Sequence, residues 1–112
     1  MLWFKKKKPQ VAFEATTLFL EEYAGEIKSL LSYTKENENV SREIIRVKEA
    51  FVFAVAPRLY SKKIEQYKEN IAKTYEELRT LLKSREWDEK DVMFHLEDLK
   101  SELERLLAVT KK

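Results

Sequence analysis

A chain with one glycine and two prolines in 112 residues has almost nothing to interrupt its helices. Charged residues make up 38% of it, and the glutamates, lysines, leucines and alanines between the few breakers favour helix. The expectation is therefore all-α. The same scarcity removes most of the loops on which catalytic constellations are usually mounted.

Length and composition narrow the class further. A chain of this size forms one domain with a modest core, and 44% apolar content with patterned charge belongs to a folded protein. There is no cysteine, which excludes disulfides, thiolate zinc sites and thiol catalysis together. No run approaches the roughly 18 apolar residues of a membrane span. The opening Met1-Leu2-Trp3-Phe4 is not followed by an apolar stretch, so it does not read as a signal peptide. These features read as a cytoplasmic protein. The abundance of Lys and Glu over Asn and Gln is shared with hyperthermophile proteins.

The net charge of +2 conceals blocks of opposite sign. Lys5, Lys6, Lys7 and Lys8 carry +4; residues 9–40 hold two basic and six acidic groups; residues 41–63 hold six basic and two acidic; residues 64–110 hold eight and twelve. Without the lysine run the rest of the chain is −2, which does not suit a general polyanion binder.

The periodicity predicts an antiparallel bundle of three long helices in residues 9–112, behind a basic, aromatic tail of residues 1–8. The first helix runs from about Pro9 to Lys35, with Leu20, Tyr23 or Ala24, Ile27, Leu31 and Thr34 on one stripe that Phe13 extends backwards. Gly25, beside Ala24, would let a neighbouring helix come close. Asn37-Glu38-Asn39 forms the turn, and Ser41 caps the next helix. In the following run, Ile44, Ile45, Val47, Phe51, Val52, Val55 and Leu59 span more than half the circumference, as in a helix surrounded by others. Pro57 interrupts this run, and no Gly, Asn or Ser beside it builds a turn. A kinked continuous helix over 41–84 is the reading taken, with a break and a four-helix bundle as the alternative. Asp88 caps the last helix, Trp87 and Val92 are spaced as a hydrophobic staple, and Val92, Leu96, Leu99, Leu103 and Leu106 form a coiled-coil-like seam.

These alternatives differ in what they require of a partner. A continuous middle helix of about 65 Å leaves each half a helix pair with apolar surface uncovered. A second copy would close it, so a homodimer or higher oligomer is expected. A chain that reverses at Pro57 closes its own core.

Three groups of residues could carry function. Trp3 and Phe4 ahead of Lys5, Lys6, Lys7 and Lys8 make a small interfacial anchor for an anionic membrane surface. Arg42, Arg46, Phe53 and Tyr60 would fall on one line of a continuous second helix, basic residues interleaved with aromatics. Glu49 lies in that line and the neighbouring helices are acidic, so nucleic acid is the weaker fit. Met93 and Phe94 stand off the seam of the last helix and offer a contact to a partner. His95, the single histidine, aligns with Asp91, Asp98 and Glu102, but no Glu-x-x-His motif accompanies it. No phosphate loop, nucleophile elbow or metalloprotease histidine pair is present. The expectation is a non-enzymatic interaction or scaffolding protein with no catalytic residues, metal or cofactor. Its partner would be itself or another helical protein. A membrane-surface protein held by residues 2–8 and a nucleic-acid accessory protein are the alternatives.

Overall fold

The computed structural model describes residues 9–109 and consists of helices and their connections, with no strand among the described residues. Helix α1 spans Pro9–Ser29 and tightens into a 3₁₀ turn, Leu30–Tyr33; α2 spans Glu38–Val52, α3 Lys62–Lys83 and α4 Glu89–Leu107. The bundle measures 52 × 23 × 21 Å. The all-α expectation holds, in its four-helix form.

Pro57 breaks the middle run rather than kinking it. α2 ends at Val52, residues 53–61 have no regular structure, and α3 starts at Lys62. Proline lacks the N–H an interior helical position needs and disfavours helical geometry at the preceding Ala56. Ser61 supplies the missing start signal. It is extended, and its hydroxyl accepts a hydrogen bond from the Lys63 N–H at 3.1 Å. Lying four residues beyond the proline, it is easily passed over in a search for a tight turn.

Two helical hairpins result, α1 with α2 and α3 with α4, and they stack with α2 against α4. Side chains place α1 beside α3: the Tyr23 and Tyr75 rings meet edge to face at 5.4 Å, and Lys68 lies 5.3 Å from the Phe19 ring centre. The hairpins are therefore in register, α1 parallel to α3 and α2 parallel to α4. Residues 53–61 must carry the chain from α2 to α3, its diagonal neighbour. They cross the end of the bundle, where Arg58 sits 4.4 Å above the Phe13 ring and Ala56 is buried.

The core forms where the spacing places it. Leu20, Ala24 and Ile27 of α1, Ile44, Val47 and Phe51 of α2, Ile64, Ile71 and Leu78 of α3, and the whole α4 seam are buried in one cluster. Trp87 packs against that cluster and Val92 lies within it, as a staple requires. The breadth of the apolar surface on α2 has a different meaning from full enclosure. Ile45 and Val52 are exposed, so α2 buries one face and leaves an apolar flank outside, and Val55 is exposed in the segment beyond it.

Local details depart from expectation at three points. The cap of α2 is Asn37, whose side chain accepts from the Val40 N–H at 3.0 Å. Ser41 lies inside the helix, its hydroxyl bonding the Thr34 carbonyl at 2.7 Å and lying 2.8 Å from the Thr34 hydroxyl. Asp88 precedes α4 without a side-chain capping bond. Gly25 faces outward, and a Cβ built there meets no atom within 4 Å, so no helix approaches it.

Candidate functional site

The fold sorts the chain into two ends. At one end, the start of α1, residues 53–61, the start of α3 and the close of α4 come together. Arg58 over Phe13 joins the first two, and a hydrogen bond from the Asn70 amide to Glu102 Oε1 at 3.2 Å ties the front half of α3 to the back half of α4. At the other end lie the α1–α2 and α3–α4 turns, joined by a hydrogen bond from Asn37 Nδ2 to Glu89 Oε1 at 2.9 Å.

Charge is unevenly distributed along the sequence. Residues 1–13, 50–64 and 105–112 hold four, three and three basic residues, ten in all, and no acidic one. The remaining residues hold twelve basic and twenty acidic groups, a balance of −8. Among the described residues, Arg58, Lys62, Lys63 and Arg105 lie at the end where residues 53–61 cross, together with Glu65 in the first turn of α3 and Glu102 beside Arg105. Of the ten, Arg105 pairs with Glu102 at 2.7 Å, and Arg58 lies over Phe13; Lys62 and Lys63 are exposed.

The same end carries exposed apolar side chains. Phe53, the C-cap of α2, is 78% exposed, Val55 74% and Val52 52%; Ile45 continues this flank two turns back along α2. Val11 in the first turn of α1 is also exposed. The chain has other apolar residues to place inside, so three exposed in four positions at a chain reversal form a surface rather than scattered exceptions.

The residues singled out from sequence divide unevenly over this geometry. Trp3, Phe4, Lys5, Lys6, Lys7 and Lys8 lie outside the described residues; they join the bundle through Pro9, at the end where residues 53–61 cross. The line of Arg42, Arg46, Phe53 and Tyr60 does not form, because the helix that would carry it ends at Val52. Arg42 and Arg46 are exposed on α2, with Arg46 3.4 Å from Glu43. Phe53 and Tyr60 belong to the crossing segment. Met93 packs against the core while Phe94 is 69% exposed on the outer side of α4, so the two do not act together. Spacing assigned Val52 and Val55 to the buried circumference of an enclosed helix, whereas both are exposed, and it did not mark Arg58, Lys62 and Lys63. Their signal is the absence of any acidic residue between Glu49 and Glu65.

Elsewhere, a shallow groove of about 480 Å³ between α3 and α4 is lined by Glu76, Glu77, Thr80, Leu81, Asp91 and His95. His95 Nδ1 lies 2.7 Å from the Asp91 carbonyl, which fixes its ring against its own helix. Among the described residues, no three His, Asp or Glu side chains are grouped to hold a metal ion. Tyr75, buried between the hairpins, has its hydroxyl 3.1 Å from Glu26 Oε1 and 3.2 Å from the Glu26 carbonyl. Burial, reinforced by the Glu26 carboxylate, pushes its pKa up to about 12; the nearby Ser29 hydroxyl and Arg79 act in the opposite direction. Tyr23 is raised as well, through burial and then through Glu76, Glu26 and Glu22. Both phenols sit where they join helices, away from either end.

No helix among the described residues is long and apolar enough to cross a membrane. Comparison with known protein families, with curated proteins and with solved structures finds no match.

Proposed function

We propose that this protein is a non-enzymatic helical interaction module that works by docking the apolar-tipped end of its bundle on a partner. The observation that carries this reading is the exposed run Val52, Phe53 and Val55, with the exposed Lys62 and Lys63 opening the helix that follows. Apolar surface held in water is unfavourable by roughly 25 cal/mol per Å², and a folded chain with a closed core gains nothing internally from leaving it there. A partner that covers it recovers that free energy, and the surrounding charge selects which partner.

The reading covers a second copy, another helical protein or an anionic surface. The reversal at Pro57 removes one argument for obligate self-association, since α1 to α4 enclose their own core without a second chain. Any self-association then rests on surface left outside that core.

A photoreactive phenylalanine analogue at position 53, in the full chain expressed in its native cells, tests this directly. The same analogue at the exposed position 73 is the control. Adducts, protein or lipid, are expected from position 53 and not from position 73. Equal or absent labelling from both positions contradicts the reading.

A further inference from the structure

We propose that the outer face of α1 pairs with the same face of a second copy, antiparallel and centred between Ala24 and Gly25. This surface is separate from the crossing end and does not rest on the reading given to that end. Val11, Leu18 and Gly25 recur every seven residues along α1, and all three are exposed. Seven residues are close to two helical turns, so the three share one strip. A strip with apolar residues on the side away from its own core is surface that a neighbouring helix can cover.

Gly25 is where such a neighbour can come closest. Glycine weakens a helix interior relative to alanine, and no helix of its own chain uses the space over it. Gly25 also borders a hollow of about 640 Å³, lined further by Lys28, Ser29, Leu31, Ser32, Lys35 and Ser41. In an antiparallel pair centred here, Leu18 of each copy stands opposite position 31 of the other. An exposed leucine thus meets a hollow bordered by small side chains, twice by symmetry. Ile45, one turn beyond Ser41 on α2, adds an exposed apolar side chain beside it.

Charge selects a second copy as the occupant. Glu14, Glu21 and Lys28 also recur every seven residues, on one flank of the strip, and Lys35 lines the hollow with Lys28. All four are exposed. The flank is acidic before Gly25 and basic after it. Reversing one copy against the other sets Glu21 against Lys28 and Glu14 against Lys35, each pair twice. A parallel pair would set like charges side by side. Another helical protein would have to reproduce this change of sign, which a second copy already carries. An anionic surface would meet Glu14, Glu21 and Glu22 around Leu18.

The test is sedimentation velocity of the full chain from micromolar to submillimolar concentration. The mass should rise from 13.4 kDa toward twice that value. Glu21→Lys and Lys28→Glu, each alone, should weaken association at least about tenfold, since each creates two like-charge pairs across the symmetry axis. Glu21→Lys/Lys28→Glu in one chain should restore it, and the two single variants mixed should pair with each other. Gly25→Leu should weaken association as strongly, with thermal unfolding of the dilute chain showing the fold intact. A monomer at every concentration overturns the proposal. So does a dimer that the single variants leave unchanged, or a double variant that fails to restore pairing. A dimer lost with Phe53→Ser but not with Glu21→Lys overturns it too, and assigns self-association to the crossing end, whose reading then stands.

Discussion

The two ends of this bundle solve the same problem, returning the chain from one helix to the next, in opposite ways. At the end of the α1–α2 and α3–α4 turns, each turn is short and satisfied by its own side chains. Asn37 caps α2 and reaches Glu89, Ser41 bonds Thr34, and Arg85 adopts a left-handed backbone with φ 63° to end α3. At the crossing end, nine residues cross a diagonal with one cap, at Ser61, and leave three apolar side chains in water. A turn built for stability hides its apolar residues. The crossing segment does not, and it is there that a second role has to be sought.

Neighbouring phenylalanines offer the sharpest division between stability and exposure at the crossing end. Phe51 is fully buried in the last turn of α2, and Phe51→Ala should cost about 3–5 kcal/mol in urea unfolding. Phe53→Ala, two residues on, should stay within about 0.5 kcal/mol of the parent. If Phe53→Ala destabilised as strongly as Phe51→Ala, the crossing segment would be structural and the contrast between the ends would fail.

At the opposite end, Asn37→Ala removes both the α2 cap and the bond to Glu89. It should lower stability by about 1–2 kcal/mol, read from the same urea midpoints. A change near zero would mean that this end is not held by its caps.

Midway between the ends, Tyr75 joins the hairpins through Glu26. Tyr75→Phe should cost about 1 kcal/mol at neutral pH, as for one buried hydrogen bond. Because folding raises the phenol from 10.0 to about 12, the folded state keeps its proton longer than the unfolded state does. Stability is thus unaffected by this group below pH 10 and falls from there to about pH 12. Denaturant titrations across that window should show a shallower fall in Tyr75→Phe.

The smallest effect is a gain. Gly25 is exposed within α1 with open space at its Cβ, so Gly25→Ala should raise the stability of the dilute chain by a little under about 1 kcal/mol. A loss would show that the glycine is held for a close contact within its own chain after all.

What the sequence disclosed was the part governed by local periodicity. The α4 seam and the α1 stripe follow from spacings of three and four. The break at Pro57 was less legible, because its second half is the cap at Ser61 rather than a turn beside the proline. The breadth of apolar residues on α2 was misleading. Periodicity counts apolar positions and does not distinguish a residue covered by a neighbour from one left exposed, and Ile45, Val52 and Val55 are of the second kind. The acid-free stretch between Glu49 and Glu65 was written in the sequence, but only the topology places it across one end of the bundle.

Everything said of the two ends depends on that topology, and the absence of native cysteines makes it directly measurable. Spin labels on cysteines introduced at the exposed positions 38 and 90 report the separation of the α2 and α4 starts by pulsed electron resonance. The account predicts a short distance, set by neighbouring helices with axes about 10 Å apart plus the label linkers. A separation approaching the about 65 Å of an unbroken helix over 41–84 would contradict it, and would return residues 53–61 to the middle of a helix.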